Sequence, residues 1–238
     1  MALIYQYPTL QAGVLLKRYK RFFAEVELAS GEVVVAHCPN TGPMTGISTI
    51  GAPVLLSHNP SPTRKLAYTW EAIEVNDTGT PIWVGVNTSI PNRVIKLALE
   101  QHLFPQLGDY DQVRVEVAYG QEKSRIDFLL TGGTKPIYIE VKSTTWTQGN
   151  LALFPDSVTT RGQKHIRELA SLLPQARAVM LYFINRSDCT QFAPGDSADP
   201  AYGQLLRAAV AQGLEILPCR FAVTPNGIEY LGLAEFVS

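Results

Sequence analysis

Asp127, Glu140 and Lys142 lie within one short stretch, SRIDFLLTGGTKPIYIEVKSTT (124–145), on either side of a glycine-rich turn. Both flanks read as apolar strands, and each carries a carboxylate in its middle. Side chains alternate between the faces of a strand. Ile126, Phe128 and Leu130 would therefore take the core side of the first strand, with Arg125, Asp127 and Leu129 opposite. On the second, Ile137, Ile139 and Val141 share one face and Tyr138, Glu140 and Lys142 the other. In an antiparallel hairpin Asp127 then approaches Glu140, with Lys142 beside them. Adjacent carboxylates repel unless one is protonated or a cation sits between them. Mg²⁺ or Mn²⁺, held by one or two carboxylates plus waters and phosphate oxygens, resolves that conflict. The lysine could orient or help deprotonate a water, or neutralise charge on a phosphodiester under attack. Asp127 with Glu-x-Lys thirteen positions later is the pattern of the PD-(D/E)xK nucleases. Alone, it fits equally an exposed hairpin face with a solvated Glu/Lys pair.

The elements around this pair must position it. Residues 92–103 space apolar positions along one broad face, hence a helix. DQVRVEVAY (111–119) alternates as a strand. Residues 157–173 place Ile166, Leu169 and Leu173 at helical intervals, with Ser157 as the candidate cap. That helix presents Arg161, Lys164 and His165 on adjoining surface, available for phosphates, although such a stripe is usually only a solvated face. AVMLYFI (178–184) is apolar on both faces and reads as a buried strand. A glycine-closed helix over 201–213 and a strand over 214–223 complete a mixed sheet with crossover helices. The last segment, 222–238, is β-rich but has no assigned place.

The first third reads as all-β. Short strands recur at intervals of roughly ten residues (24–28, 32–38, 53–57, 64–75), which suggests a small barrel or sandwich. The oligonucleotide-binding barrel is the five-stranded member of that set. NDTGTP (76–81) reads as a linker, dividing a barrel over 1–80 from an α/β domain over 81–238.

The whole chain sets limits. Its 238 residues are 46% hydrophobic and 17% charged, enough for a sizeable core. No apolar run approaches the roughly 18–20 residues of a membrane span, and the N-terminus lacks the pattern of a signal peptide. Cys38, Cys189 and Cys219 are too dispersed for a disulfide framework or a zinc knuckle. A cytoplasmic location is expected. The net charge of −1 means that any nucleic-acid role must rest on local patches.

Four separated segments in one order, HCPNTGPMTG (37–46), RKLAYTWE (64–71), IEVKSTT (139–145) and FPDSVTTRGQKHIREL (154–169), resemble the sugar fermentation stimulation protein family. The resemblance covers nearly the whole chain. It implies an α+β protein of two domains: an N-terminal OB-fold-like β-barrel and a C-terminal mixed-sheet α/β restriction-endonuclease-like domain. It implies DNA binding, with a link to the regulation of sugar utilisation. The family's nuclease-type residues carry over as Asp127, Glu140 and Lys142; the usual proline before the first aspartate is replaced by Ile126.

Two patches suit nucleic acid. LLKRYKRFF (15–23) packs Lys17, Arg18, Lys20 and Arg21 around Tyr19, Phe22 and Phe23, so that phosphates meet charge and bases meet rings. Read blandly, the two phenylalanines are core. Arg64 and Lys65 form a second basic spot. The loop CPNTGPMTG (38–46) offers main-chain N–H groups that could cradle a phosphate, without the lysine of a P-loop. The sequence thus favours a DNA-binding protein with a metal-dependent phosphodiesterase site, acting on single- or double-stranded DNA. The alternatives are a non-catalytic DNA-binding regulator and, more weakly, a carboxylate-based sugar hydrolase. A homodimer is the one assembly entertained.

Overall fold

The computed structural model describes residues 2–120 and 124–237. Strand β1 (Ala2–Gln6) precedes five strands, β2 (Leu10–Tyr19), β3 (Phe23–Leu28), β4 (Val33–His37), β5 (Pro53–His58) and β6 (Tyr68–Val75). The five hydrogen-bond in the order β4-β3-β2-β5-β6, and a parallel β4–β6 pairing closes them into a barrel. Alternating inward positions such as Leu15, Val26, Ala36, Leu56 and Trp70 fill its interior as a separate core. Closure leaves the barrel few unpaired edges.

The chain continues through β7 (Ile82–Gly85), α1 (Ile90–Glu100), β8 (Gln112–Tyr119), β9 (Ser124–Thr131), β10 (Ile137–Thr144), β11 (Trp146–Gln148), β12 (Leu151–Phe154), α2 (Thr160–Ala170), β13 (Arg177–Ile184), β14 (Gln191–Pro194), α3 (Pro200–Ala211), β15 (Glu215–Val223), β16 (Gly227–Leu233) and β17 (Glu235–Phe236). The second sheet runs β15-β13-β10-β9-β8; β13 is parallel to β10 and β9 antiparallel to it. Its two faces bury two cores. Ile139, Val141, Leu181 and Phe183 pack with α1 on one side; Met180, Tyr182, Ile166 and Leu206 pack with α2 and α3 on the other.

Several elements differ from expectation, each for a local reason. β1 does not join the barrel: it pairs antiparallel with β16, and Ile4 and Tyr7 enter the α1-side core. This also places the unassigned C-terminal segment, since β16 bridges β1 and β15 while β17 pairs with β14. The residues read as a linker, 76–81, form the turn of a β6–β7 hairpin, so the division expected at 80/81 falls inside that hairpin. Barrel and second sheet are continuous, joined where Trp83 of β7 meets Val223 of β15. Buried Arg186 fastens the same turn, donating to Asp77, to Asp188 and to the Thr145 carbonyl. The cap of α2 is Thr159, whose hydroxyl accepts from the Gly162 N–H, rather than Ser157. Lastly, Ile126 and Leu129 pack in the α2–α3-side core, away from Phe128 and Leu130. Simple alternation fails beside Asp127, where the β8–β9 ladder has a gap and Glu116 takes a left-handed backbone (φ 52°).

Candidate functional site

Asp127 and Glu140 face each other where β9 and β10 part. Their ladder ends at Phe128–Ile139. Beyond it the Asp127 side chain takes the place of a strand: Oδ2 accepts from the Val141 N–H at 2.7 Å, and Oδ1 accepts from Asn92 Nδ2 at 2.8 Å. Asn92 lies in the first turn of α1, so that helix orients the carboxylate. Glu140 is 4% exposed. Its Oε1 accepts from Lys142 Nζ at 2.7 Å and also bonds His165 Nδ1. Arg161 Nε donates to the other ring nitrogen of His165, Nε2, at 3.4 Å. Lys142 Nζ also lies 3.1 Å from His165 Nδ1, so Glu140, Lys142 and His165 form one tight cluster.

The two carboxyls are pushed apart electrostatically. Burial, then the nearby Glu140 charge, raises Asp127 to about 6, against smaller lowering effects from Val141, Asn92 and Lys142. For Glu140, burial is the largest single effect and acts upward, yet the His165 hydrogen bond and Lys142 together outweigh it and leave the group lowered. Glu140 Oε2 is buried and has no hydrogen-bond partner among the described residues. A buried, unsatisfied carboxylate oxygen is costly and calls for a ligand. A divalent cation between Asp127 and Glu140 would satisfy it. Among the described residues no cluster of three or more His, Cys, Asp or Glu is arranged to hold a metal. Two carboxylates are donors of the kind a hard cation that keeps several waters takes, and not those of a zinc site.

Arg125, Arg161 and Lys164 line the same cleft as Asp127 and Glu140, a cavity of about 380 Å³. The basic helix face and the carboxylates, separate in sequence, therefore meet. His165 departs from expectation: it is 4% exposed and turned in to Glu140 instead of out to solvent. Asp199, which sequence patterns did not single out, anchors α2. It caps α3 by accepting from the Tyr202 N–H, and accepts from the Thr159 N–H and Gln163 Nε2. The Asp-Pro pair at 199–200 was the available signal for that cap.

On the barrel, the β2–β3 turn carries Lys20, Arg21 and Phe22, and the long β5–β6 loop carries Arg64 and Lys65. The aromatics of the first patch meet the second basic spot: Phe22, Phe23, His37, Arg64 and Lys65 line one shallow apolar hollow of about 360 Å³. Phe22 is 49% exposed and Phe23 half-buried, so neither is plain core. Lys17 Nζ sits 5.4 Å from the centre of the Tyr19 ring. Arg18 is committed elsewhere: Nη2 donates to the Asn40 and Gly42 carbonyls. The loop 38–46 is no open cradle either, because Met44 and Thr45 N–H groups bond the Asp156 carboxylate.

A closed five-stranded barrel of this topology joined to an α/β unit defines a two-domain protein with an N-terminal OB domain. A family model described as "SfsA N-terminal OB domain" matches residues 16–86, and one described as "Sugar fermentation stimulation protein RE domain" matches 89–227. The chain belongs to the sugar fermentation stimulation protein family. It is 71% identical over 235 residues to a sugar fermentation stimulation protein homolog of Cyanothece sp., covering 98% of each chain. It is 67% identical over 237 residues to the homolog of a Nostoc sp., again covering 98% of each. The fold resembles that of a solved structure described as "The structure of Pyrococcus Furiosus SfsA in complex with Ca2+", with a TM-score of 0.88 and 24% identity over the full length of both chains. No helix among the described residues is long and apolar enough to cross a membrane.

Proposed function

We propose that this protein binds DNA and carries a metal-dependent phosphodiesterase site of the PD-(D/E)xK type in a restriction-endonuclease-like second domain. One observation carries the reading: the unsatisfied, buried Glu140 Oε2 opposite Asp127, in a cleft walled by cations. Asp127 and Glu140 would hold Mg²⁺ or Mn²⁺. When bound, the cation would supply Lewis-acid activation of the phosphodiester and of the attacking water. The chain's own groups do the rest. His165 and Lys142 hold Glu140 ionised and fixed in orientation. Asn92 and the Val141 N–H hold Asp127. Lys142 stands ready to orient the water, and Arg161 and Lys164 to meet phosphate oxygens. The order helix, three antiparallel strands, helix, parallel strand (α1, β8–β10, α2, β13) supports the assignment. So does the Pyrococcus furiosus relative, whose structure is described as a complex with Ca²⁺.

Binding is assigned mainly to the barrel. In OB folds the loops between the first two and last two strands contact oligonucleotides. Here those are the β2–β3 turn and the β5–β6 loop, whose Phe22, Arg64 and Lys65 form one surface. Rings beside cations favour a single strand. Purified protein with Mg²⁺ or Mn²⁺ should nick DNA, and Glu140→Gln or Lys142→Ala should abolish nicking while leaving DNA binding in place. Cleavage by these variants at the wild-type rate would exclude Glu140 and Lys142 as its source, and no cleavage by wild type would leave a binding-only regulator on a nuclease-like scaffold.

A further inference from the structure

A second polar cleft, of about 410 Å³, lies between the β5–β6 side of the barrel, the end of β1 and the start of α1. None of its lining residues lines the Asp127–Glu140 cavity. At its floor is Glu71 of β6, 5% exposed. Ser57 Oγ donates to one oxygen at 2.6 Å and Asn87 Nδ2 to the other at 2.8 Å. Ser89 Oγ donates in turn to Asn87 Oδ1 at 2.8 Å. A carboxylate offers about four acceptor positions, and these contacts use two, so Glu71 keeps capacity for a donor from a ligand. The phosphodiesterase reading uses none of this network.

The rim has the opposite sign. Arg64 and exposed Arg93 line the cleft, and Arg64 is steadied by a bond from Nη2 to Thr69 Oγ1 at 3.0 Å. Ser89 caps α1 without a side-chain cap bond, because its hydroxyl serves Asn87, and no acidic residue stands in the first turn. The positive end of the 11-residue helix meets the cleft, but the Ser89 and Ile90 N–H groups already bond Asn87 and Pro91 has none, so the first turn contributes field more than donors. Two guanidiniums and a helix N-terminus against one carboxylate select an anion. Flat surface is present as well: exposed His58 is stacked on Tyr68 at 4.6 Å, and half-buried Tyr5 forms part of the wall.

We propose that this cleft binds a phosphorylated nucleoside, as a mononucleotide or as the phosphorylated end of a nucleic-acid strand. Arg64 and Arg93 take the phosphate in the field of the α1 N-terminus, Glu71 accepts from a sugar hydroxyl or a base amino group, and the base lies against His58 or Tyr5. A neutral sugar would leave the arginines unused, and inorganic phosphate would leave Glu71 and the rings unused. The volume falls within the roughly 300–1,000 Å³ range of small-molecule sites. The site adjoins the candidate catalytic centre through α1: Arg93 follows Asn92, which holds Asp127.

Calorimetry on the full chain in EDTA tests this with adenosine 5′-monophosphate, adenosine, inorganic phosphate, and a short oligonucleotide with or without a 5′-phosphate. Binding is read without metal or cleavage, so the result is blind to whether Asp127 and Glu140 form a nuclease site. The monophosphate or the 5′-phosphorylated strand should bind about tenfold or more tightly than its unphosphorylated counterpart, and Arg93→Ala should remove that preference. Whichever of the two shows it identifies the source. Glu71→Gln, nearly isosteric, should weaken nucleotide binding with an unchanged circular-dichroism spectrum. If neither phosphorylated probe is preferred, or if Arg93→Ala binds both as wild type does, the proposal is overturned.

Discussion

Asp127 is held in the fold at a cost in stability at neutral pH. Its folded pKa of about 6 lies above the ordinary 3.8, chiefly through burial and then through Glu140. Folding thus favours the protonated acid. The contribution is fully present below pH 3.8 and is lost as pH rises through 6, up to about 3 kcal/mol in all. In EDTA, Asp127→Asn should therefore melt higher than wild type at pH 7–8, with the difference vanishing toward pH 4. The Asn92 amide can flip to accept from the new amide, so the variant keeps its partners. Thermal melts check this, and a variant less stable than wild type at pH 8 would contradict it. His165 acts through Glu140. Replacing it by alanine leaves Oε1 to Lys142 alone, and Mn²⁺ affinity should fall by about 10–100-fold. Unchanged affinity would reduce His165 to a packing residue. That Asp127, Glu140 and Lys142 lie near one another was legible in the sequence, because two strands joined by a short turn must meet; the break in the ladder beside Asp127, which upsets strand alternation, was not. The roles of His165, Asn92 and Asp199 were not, because each depends on how a helix docks on the sheet.

At the scale of elements, the β2–β3 turn is costly. Lys20 and Arg21 both adopt left-handed backbones, φ 49° and 63°, a conformation that costs non-glycine residues about 1–2 kcal/mol each. Charge is kept there at that expense, as a binding turn would require. Phe22→Ala should weaken single-stranded DNA binding by about 1–3 kcal/mol. Alanines at Lys17, Lys20 and Arg21 should flatten the salt dependence by roughly 0.7 in slope for each phosphate no longer neutralised. Arg18→Ala should act differently, lowering the melting temperature, because its guanidinium secures the 38–46 loop. Salt titrations and melts separate the two effects; a full loss of DNA affinity in a stable Arg18 variant would contradict the division. Strand periodicity made the five barrel strands visible in advance. The loop's use of its N–H groups on Asp156, over a hundred residues away, carried no local signal.

Across the whole molecule, the two domains are tied by main-chain pairing and by one buried cation. β1 closes onto β16 at the far end of the chain, and β7 carries the barrel's hydrogen bonding into β15. Neither connection could be read from composition, since turn residues at 76–81 look alike in a linker and in a hairpin. Arg186→Met would strand buried Asp188 and release Asp77, costing about 3–5 kcal/mol as broken buried pairs do. Denaturant titration would show it, and a loss below about 1 kcal/mol would mean that main-chain pairing alone joins the domains.

Whether the Asp127–Glu140 pair is a working centre is decided most directly by calorimetric titration of the protein with Mn²⁺, in the presence and absence of DNA. Wild type should bind Mn²⁺ at a site that Asp127→Asn and Glu140→Gln each abolish, while both variants remain folded and bind DNA. No Mn²⁺ binding by wild type under either condition, or binding that survives both substitutions, would contradict a metal-dependent phosphodiesterase.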